Sequence, residues 1–354
     1  MTEIKKVNTL IPRLEYNRKP ELNLNSIQLK MKKRVEDKIE KGIYKFENLP
    51  CPICSSFEAK VIGQKDRYGL YYQTNICSEC GLVYTSPRMS QDSYNQFYND
   101  EYRRLYGGEE KPNELFFNRQ RIKGKRIYKF IQEHASLKRK NFSVLEVGCG
   151  AGGIIDYFKE QGCSVKGIDL GNEYISYGKI KHNLDLETGS LESLTVKNSP
   201  DVIIYSHVLE HILDINKEVE LINKISNEDT VVYIEVPGVK EIHKHFEMNI
   251  LKYFQNAHTY HFTLESVKNL MAKNGFELIH GNQFVMSVFR KTKKDLALIS
   301  DYQNTIDYIE KIESNRKYFL LTSSGLSSFI HNSILKLLDV SGTRSIAKKI
   351  NSKL

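Results

Sequence analysis

A Rossmann-like α/β fold around a parallel sheet is what this sequence predicts, and three observations carry it. Apolar, β-branched runs near 144–147, 163–170, 201–206 and 230–236 alternate with helical patterns, the signature of βαβ units. The first run passes straight into a glycine-rich turn, VLEVGCGAGG over 144–153. The second run carries Asp169 near its end, 23 residues after Glu146. A doubly wound sheet puts the tip of its second strand there, beside the ligand crevice.

The elements follow in chain order. Residues 1–47 are polar, with a helix expected over Ser26–Lys41, in which Glu36 and Glu40 can pair with lysines one turn away. Residues 48–88 hold Cys51, Cys54, Cys77 and Cys80, two C-x-x-C pairs separated by 22 residues. Four thiolates at that spacing suit a tetrahedral structural zinc. One pair alone would suit a redox dithiol as well. Two pairs around a tyrosine-rich strand segment (Tyr68, Tyr71, Tyr72), with Gly81 closing the second turn, favour zinc over a dithiol or a disulfide framework. Residues 89–140 read as a helical connector whose last helix, through LFFNRQRIKGKRIYKFIQEH, precedes the first core strand. Its Tyr98, Tyr102 and Tyr106 recur every four residues, as one packed helix face does. Residues 141–290 are the α/β core, and 291–354 a basic tail, helical and amphipathic from Tyr318 to Leu338.

In the glycine turn, Gly148, Gly150 and Gly152 allow positive φ and close approach by a ligand, ahead of a helix whose first N–H groups are unpaired. Glycines alone also fit the dinucleotide fingerprint G-x-G-x-x-G, with Gly153 as its third member. Glu146 tips the balance. An anion two residues before the first glycine repels a pyrophosphate and attracts a cationic amino or sulfonium group. Asp169 can accept two hydrogen bonds from ribose hydroxyls, and Leu191, within GSLESL, can border an adenine ring.

Together EVGCGAG, GID, SHVLEH and IEVP, over roughly residues 100–290, resemble the motifs of class I S-adenosylmethionine (SAM) methyltransferases, which often act on sugars, glycans and small metabolites. The resemblance implies SAM as cofactor, held by Glu146, Gly148, Gly150, Gly152, Asp169 and Leu191. It also implies a tyrosine ahead of the first strand against the methionine moiety, for which Tyr106 is the candidate. Arg119 and Arg121 are candidates for the SAM carboxylate. With the cysteine module added, the chain is similar to sugar-nucleotide C-methyltransferases. Those carry a histidine at the position of His211 and a Tyr-x-Glu-His run at that of 255–258. Here the run reads Gln255-Asn256-Ala257-His258. Their substrate-holding C-terminal domain is longer than the 64 residues that follow 290. The resemblance thus implies a sugar-nucleotide, glycan or related small-molecule acceptor and leaves C-, O- and N-methylation open.

An oxygen or carbon nucleophile usually needs a base for its proton, and histidine titrates near neutral pH. His207, Glu210 and His211 follow the 201–206 strand at the crevice edge, and His258 and His261 lie about 20 residues past the 230–236 strand. His211 and His258 are the leading candidates; His207 can serve equally by lining SAM or packing on its helix.

With 354 residues and 40% hydrophobic content the chain can build one sizeable core and a small satellite. It shows no apolar run of membrane-spanning length and no N-terminal leader pattern. Unbridged cysteine pairs suit a reducing compartment, so a cytoplasmic protein is expected. The net charge of +9 is uneven: 28 basic against 17 acidic residues over 1–140, 13 against 20 over 141–290, and 11 against 6 beyond. Basic flanks can attract nucleic acid, anionic lipid or a phosphorylated substrate. An RNA methyltransferase with the cysteine module as RNA-binding knuckle is therefore the second reading, and peripheral membrane contact through the tail a further expectation. Against RNA, the core lacks an N-P-P-Y or D-P-P-Y motif to hold a flat base. A non-catalytic SAM-binding protein is the third reading.

Overall fold

The structure, a computed structural model, describes residues 7–107, 112–322 and 325–326. The first helix, α1 (Ser26–Glu40), begins where Asn25 and Gln28 cap each other's backbone N–H groups, and it buries Met31, Val35 and Ile39. Two of its lysines are engaged within the molecule: Lys32 pairs with Glu36, and Lys38 with Asp100 and Glu101.

The cysteine region is built from short strands. β1 (Phe46–Glu47) pairs with β5 (Arg88–Met89), and β2 (Ala59–Lys65), β3 (Tyr71–Cys77) and β4 (Val83–Thr85) form an antiparallel meander. The fourth strand of that sheet is distant in sequence: β11 (Tyr260–His261) leaves the core and pairs antiparallel with β4. Residues 48–88 therefore share a sheet with a core segment. The connector is helical, as its pattern suggests. It runs through α2 (Gln91–Phe97), a five-residue π turn over Tyr98–Tyr102, α3 (Arg103–Gly107) and α4 (Glu114–His134).

The main sheet has seven strands in the order β12 (Phe276–Gly281), β13 (Met286–Lys291), β10 (Val231–Glu235), β9 (Val202–Ser206), β6 (Ser143–Val147), β7 (Ser164–Asp169), β8 (Leu186–Thr188). β13 runs antiparallel to both its neighbours and the other pairs are parallel. From β6 the chain steps outward to β7 and β8, then returns to β9 and β10 on the other side. The carboxyl ends of β6 and β9 are thus the switch point where open α/β sheets take ligands.

Helices cover both faces. On one, α4, α5 (Gly153–Glu160) and α6 (Asn172–His182) place Ile127, Ile131, Phe158 and Ile175 in one apolar cluster with Val144, Ile204 and Tyr233. On the other, α7 (Ile215–Ile225) and α10 (Leu264–Lys273) place Val219, Ile222, Val267 and Leu270 with Leu145, Ile203 and Val232. Strands covered on both faces can be apolar at every position, which is why 202–205 and 231–234 read as unbroken runs. The short helices α8 (Ile242–His245) and α9 (Ile250–Tyr253) lie between β10 and β11. α11 (Tyr302–Asn315) buries Ile306, Ile309 and Ile312 in one cluster with Tyr72, Ile76 and Leu251. The helix expected from Tyr318 to Leu338 falls mostly outside the described residues. Among the described residues no helix is long and apolar enough to cross a membrane.

Candidate active site

β6 ends at Val147, and the chain turns through Gly148 (φ +71°), Gly150 (φ +56°) and Gly152 (φ +79°) into α5. Two of these glycines serve different needs. A Cβ on Gly148 would stand 2.3 Å from the Val208 side chain, so the absence of one lets the 207–211 segment pack on the turn. A Cβ on Gly150 would meet nothing nearer than 3.9 Å; there the backbone lies bare toward open space, and positive φ is the constraint. Asp169 fastens the turn. Its Oδ2 accepts from the Gly150 N–H at 2.9 Å and its Oδ1 from the Gly171 N–H at 2.6 Å. A carboxylate offers about four acceptor sites, so both oxygens retain capacity for hydroxyl donors.

Glu146 is 2% exposed, and its Oε2 accepts no hydrogen bond among the described residues. Burial first, then the nearby Asp169 charge, push its carboxyl well above the usual range. A buried acceptor left unpaired costs about 1–3 kcal/mol, a cost that a cationic or hydrogen-donating ligand group removes.

Other residues expected at this half of the site are placed as follows. Leu191 is 3% exposed and packs in the core cluster of Leu145, Val147 and Ile168. Tyr106 is half exposed, stacks on Tyr102 and covers the Arg67 guanidinium. Arg121 is taken up by Asp156 and Glu160 on α5, and Arg119 is exposed. Sequence reasoning did not single out Arg103, which lies 4.0 Å from Asp169 with its guanidinium over the Tyr174 ring.

The second half of the site follows β9. His207 adopts a left-handed backbone (φ +58°), fixed by its N–H donating to the Glu235 carbonyl at 2.8 Å. Such a conformation away from glycine costs about 1–3 kcal/mol and gathers at functional sites. The following turn brings three histidines around one carboxylate. Glu210 Oε1 lies 3.6 Å from His207 Nδ1, 3.9 Å from His211 Nε2 and 4.0 Å from His258 Nε2. Glu210 is 1% exposed, and among the described residues neither of its oxygens accepts a hydrogen bond.

The three rings are held in different charge states. Burial alone would lower His207, but Glu210 and Glu235 outweigh it and push the ring up to about 9, so it is a cation near neutral pH. Burial lowers His211. Its Nδ1 lies 3.0 Å from the Ala257 carbonyl oxygen; only a protonated nitrogen can face that acceptor, which leaves Nε2 with its lone pair. Burial, then His211, His261 and Arg67, hold His258 well below the usual range. Its Nε2 accepts from the Gln255 amide, whose oxygen in turn accepts from Arg67 on the β2–β3 turn. His261 donates or accepts with the Tyr72 hydroxyl at 2.7 Å and is lowered to about 3 by burial.

Glu235 was noted in the sequence only as part of IEVP. It is fully buried, and although burial opposes its charge, His207 and Arg126 hold its carboxyl at about 2. The signal in the sequence was an acid inside the apolar run VVYIEV. The π turn completes this wall. Tyr98 and Tyr102 stack with centroids 4.2 Å apart and present to His211 at 6.1 and 5.9 Å, in keeping with the tendency of π turns to sit at functional sites.

The four cysteines converge as their spacing predicts. Their Sγ atoms all lie within 4.8 Å of one another, with Cys51–Cys80 and Cys54–Cys77 at 3.4 Å. That is too far for a disulfide bond of about 2.05 Å. It is close to the roughly 3.8 Å edge of a tetrahedron with zinc–sulfur bonds of about 2.3 Å. The knuckle turns close through Ser55 N–H to Cys51 O at 2.8 Å and Gly81 N–H to Cys77 O at 3.0 Å.

Comparison with known proteins bears on the domain that holds the glycine turn. Residues 117–281 match the family model described as a methyltransferase domain. A ubiquinone biosynthesis O-methyltransferase of Pelagibacter ubique is 30% identical over 100 residues, 27% of this chain and 42% of that protein. A malonyl-[acyl-carrier protein] O-methyltransferase of Pectobacterium atrosepticum is 33% identical over 95 residues, 26% of this chain and 35% of that protein. The chain thus spans about two fifths of the length of the curated relatives it matches. Among solved structures, magnesium protoporphyrin IX methyltransferase from Synechocystis aligns at 17% identity over 56% of this chain and 95% of that one, with a TM-score of 0.39.

Proposed function

We propose that this chain, which carries a class I SAM-dependent methyltransferase domain, transfers a methyl group from SAM to an oxygen of a small acceptor of the sugar, sugar-nucleotide or glycan class. The observation that carries the reading is the meeting of two half-sites at one crevice. The Gly148 turn, with the unpaired Oε2 of Glu146 and the Asp169 carboxylate, packs through Val208 against the segment bearing His207, Glu210 and His211. Bound SAM supplies an electrophilic methyl on a good leaving group, so the protein's share of the work is alignment and handling of the acceptor's proton.

In this reading Asp169 receives the ribose hydroxyls, Glu146 faces the cationic part of SAM, and the bare backbone at Gly150 lets the ligand lie close. His207, already a cation, cannot take a proton. Burial favours the neutral form of His211 and His258, whose Nε2 atoms lie 3.9 and 4.0 Å from Glu210 Oε1, that of His258 already accepting from the Gln255 amide. Transfer to oxygen is favoured because the relatives at hand are named O-methyltransferases. The 255–258 run also lacks the tyrosine and glutamate of the C-methylating pattern.

The four cysteines would hold zinc as a structural ion. It would brace β2–β4 and, through β4, the β11 strand beside His258. A small acceptor is favoured over RNA because the core lacks an N-P-P-Y or D-P-P-Y motif for a flat base, and Lys32 and Lys38 of the basic flank are buried and paired within the molecule.

The test is transfer of label from methyl-labelled SAM to two substrate sets, sugar nucleotides with glycans and total cellular RNA. Label in the first set is the expected result. Label in RNA alone would move the acceptor to nucleic acid, and SAM binding without transfer to either would favour a non-catalytic binder.

A further inference from the structure

We propose that Glu210, His211 and His258 bind one divalent cation of the zinc, manganese or iron(II) type, at a second metal site separate from the four cysteines. The ligand atoms of these three side chains lie within 4.8 Å of one another. A cation with bonds of about 2.0–2.2 Å to nitrogen and oxygen draws such atoms to roughly 3–3.5 Å, within reach of small ring rotations.

Three features point to a cation at this spot. The first is Glu210, a buried carboxylate with neither oxygen hydrogen-bonded among the described residues. The second is the tautomer of His211. Its Nδ1–H is spent on the Ala257 carbonyl at 3.0 Å, the arrangement that orients a metal-ligating imidazole and frees Nε2. The third is His258, whose Nε2 also acts as an acceptor, toward the Gln255 amide. Lone pairs therefore converge from three sides. The Gln255 amide group would turn aside on cation binding while its oxygen keeps Arg67 as donor. His207 faces the same Glu210 oxygen at 3.6 Å, but it keeps Glu235, at 3.5 Å, as its own counter-ion.

Two imidazoles and one carboxylate suit borderline divalent metals and leave coordination positions open. One open position would take the acceptor oxygen. This role rests on the methyltransferase reading, whereas occupancy of the site does not. The cation lowers the pKa of the bound hydroxyl, whose proton passes to water. The oxygen's electron pair then forms the bond to the methyl carbon, and the carbon–sulfur pair goes to sulfur. His211 and His258 act here as ligands in place of the base role considered above.

The test counts metal in the full chain. After equilibrium dialysis against Zn2+ and removal of free ion, elemental analysis should give two equivalents for the wild type and one for Glu210→Gln and for His211→Ala. A melting curve confirms that each variant is folded. One equivalent in the wild type, or two in both folded variants, overturns the proposal. A second measurement needs no variant: the Co2+-loaded wild type should show a thiolate charge-transfer band together with a cobalt component that lacks it. A spectrum of thiolate-ligated cobalt alone also overturns the site. Failure of SAM binding would remove the methyltransferase reading and leave these metal counts unaffected, so the two can fail separately.

Discussion

Glu235 is where acid should cost the site most stability. Its carboxyl is held at about 2 by His207 and Arg126 against an ordinary value of 4.5, so between those values the folded state binds fewer protons than the unfolded chain. The stabilisation is complete above about pH 4.5 and is lost as pH falls through 2. At about 1.4 kcal/mol per unit, the shift is worth roughly 3 kcal/mol in a fully buried group. Denaturant unfolding of wild type and Glu235→Gln should show a stability gap that narrows by that order between pH 5 and 2, and a constant gap would contradict the assignment. At this scale the sequence was partly legible. Glu146 and Asp169 stand out because an acid at the end of an apolar strand has few structural uses. Glu235 ends such a strand too, but its role, like that of Glu210, lies in which histidines the fold brings to it, and no local pattern encodes that.

The glycine turn shows the same division among elements. Its position and its role as a strand-to-helix joint follow from local pattern. The need for glycine at 148 comes instead from Val208, whose side chain occupies the Cβ space. Gly148→Ala should therefore lower the melting temperature and weaken SAM binding, through the left-handed backbone (about 1–2 kcal/mol) and the clash together. Adding Val208→Ala should restore the clash portion only. If the double variant is no better than the single one, steric packing of the 207–211 segment is not what the glycine serves. The tyrosine repeat of the connector was read as one packed face. The rings do pack on one another, but a π turn rather than a regular helix aims Tyr98 and Tyr102 at His211. Side-chain periodicity does not reveal that local change of winding.

Over the whole molecule, four of the seven strands, β6, β7, β9 and β10, were legible as short apolar runs, whereas β8, whose Glu187 and Thr188 are exposed, and the antiparallel pair β12–β13 were not read from the sequence. The joining of the cysteine region to the core was not legible either. Tyr84 lies opposite Tyr260 in a two-residue pairing, too short and too distant in sequence to leave a pattern. Its consequence is long-range: the four cysteines brace a sheet whose last strand adjoins His258. On the proposal that the cysteines hold zinc, Cys77→Ser, which removes that ion alone, should therefore lower the melting temperature and also impair the proposed methyl transfer. Unchanged melting and transfer after verified zinc loss would contradict this coupling.

The central claim is that the crevice at the ends of β6, β7 and β9 holds SAM. It is tested most directly by calorimetric titration of SAM into wild type and Asp169→Ala. The account predicts saturable one-to-one binding to the wild type, weakened by about 1.5–3 kcal/mol in the variant through lost hydrogen bonds to a charged group. Absence of binding to the wild type, or equal affinity in the two proteins, would contradict it.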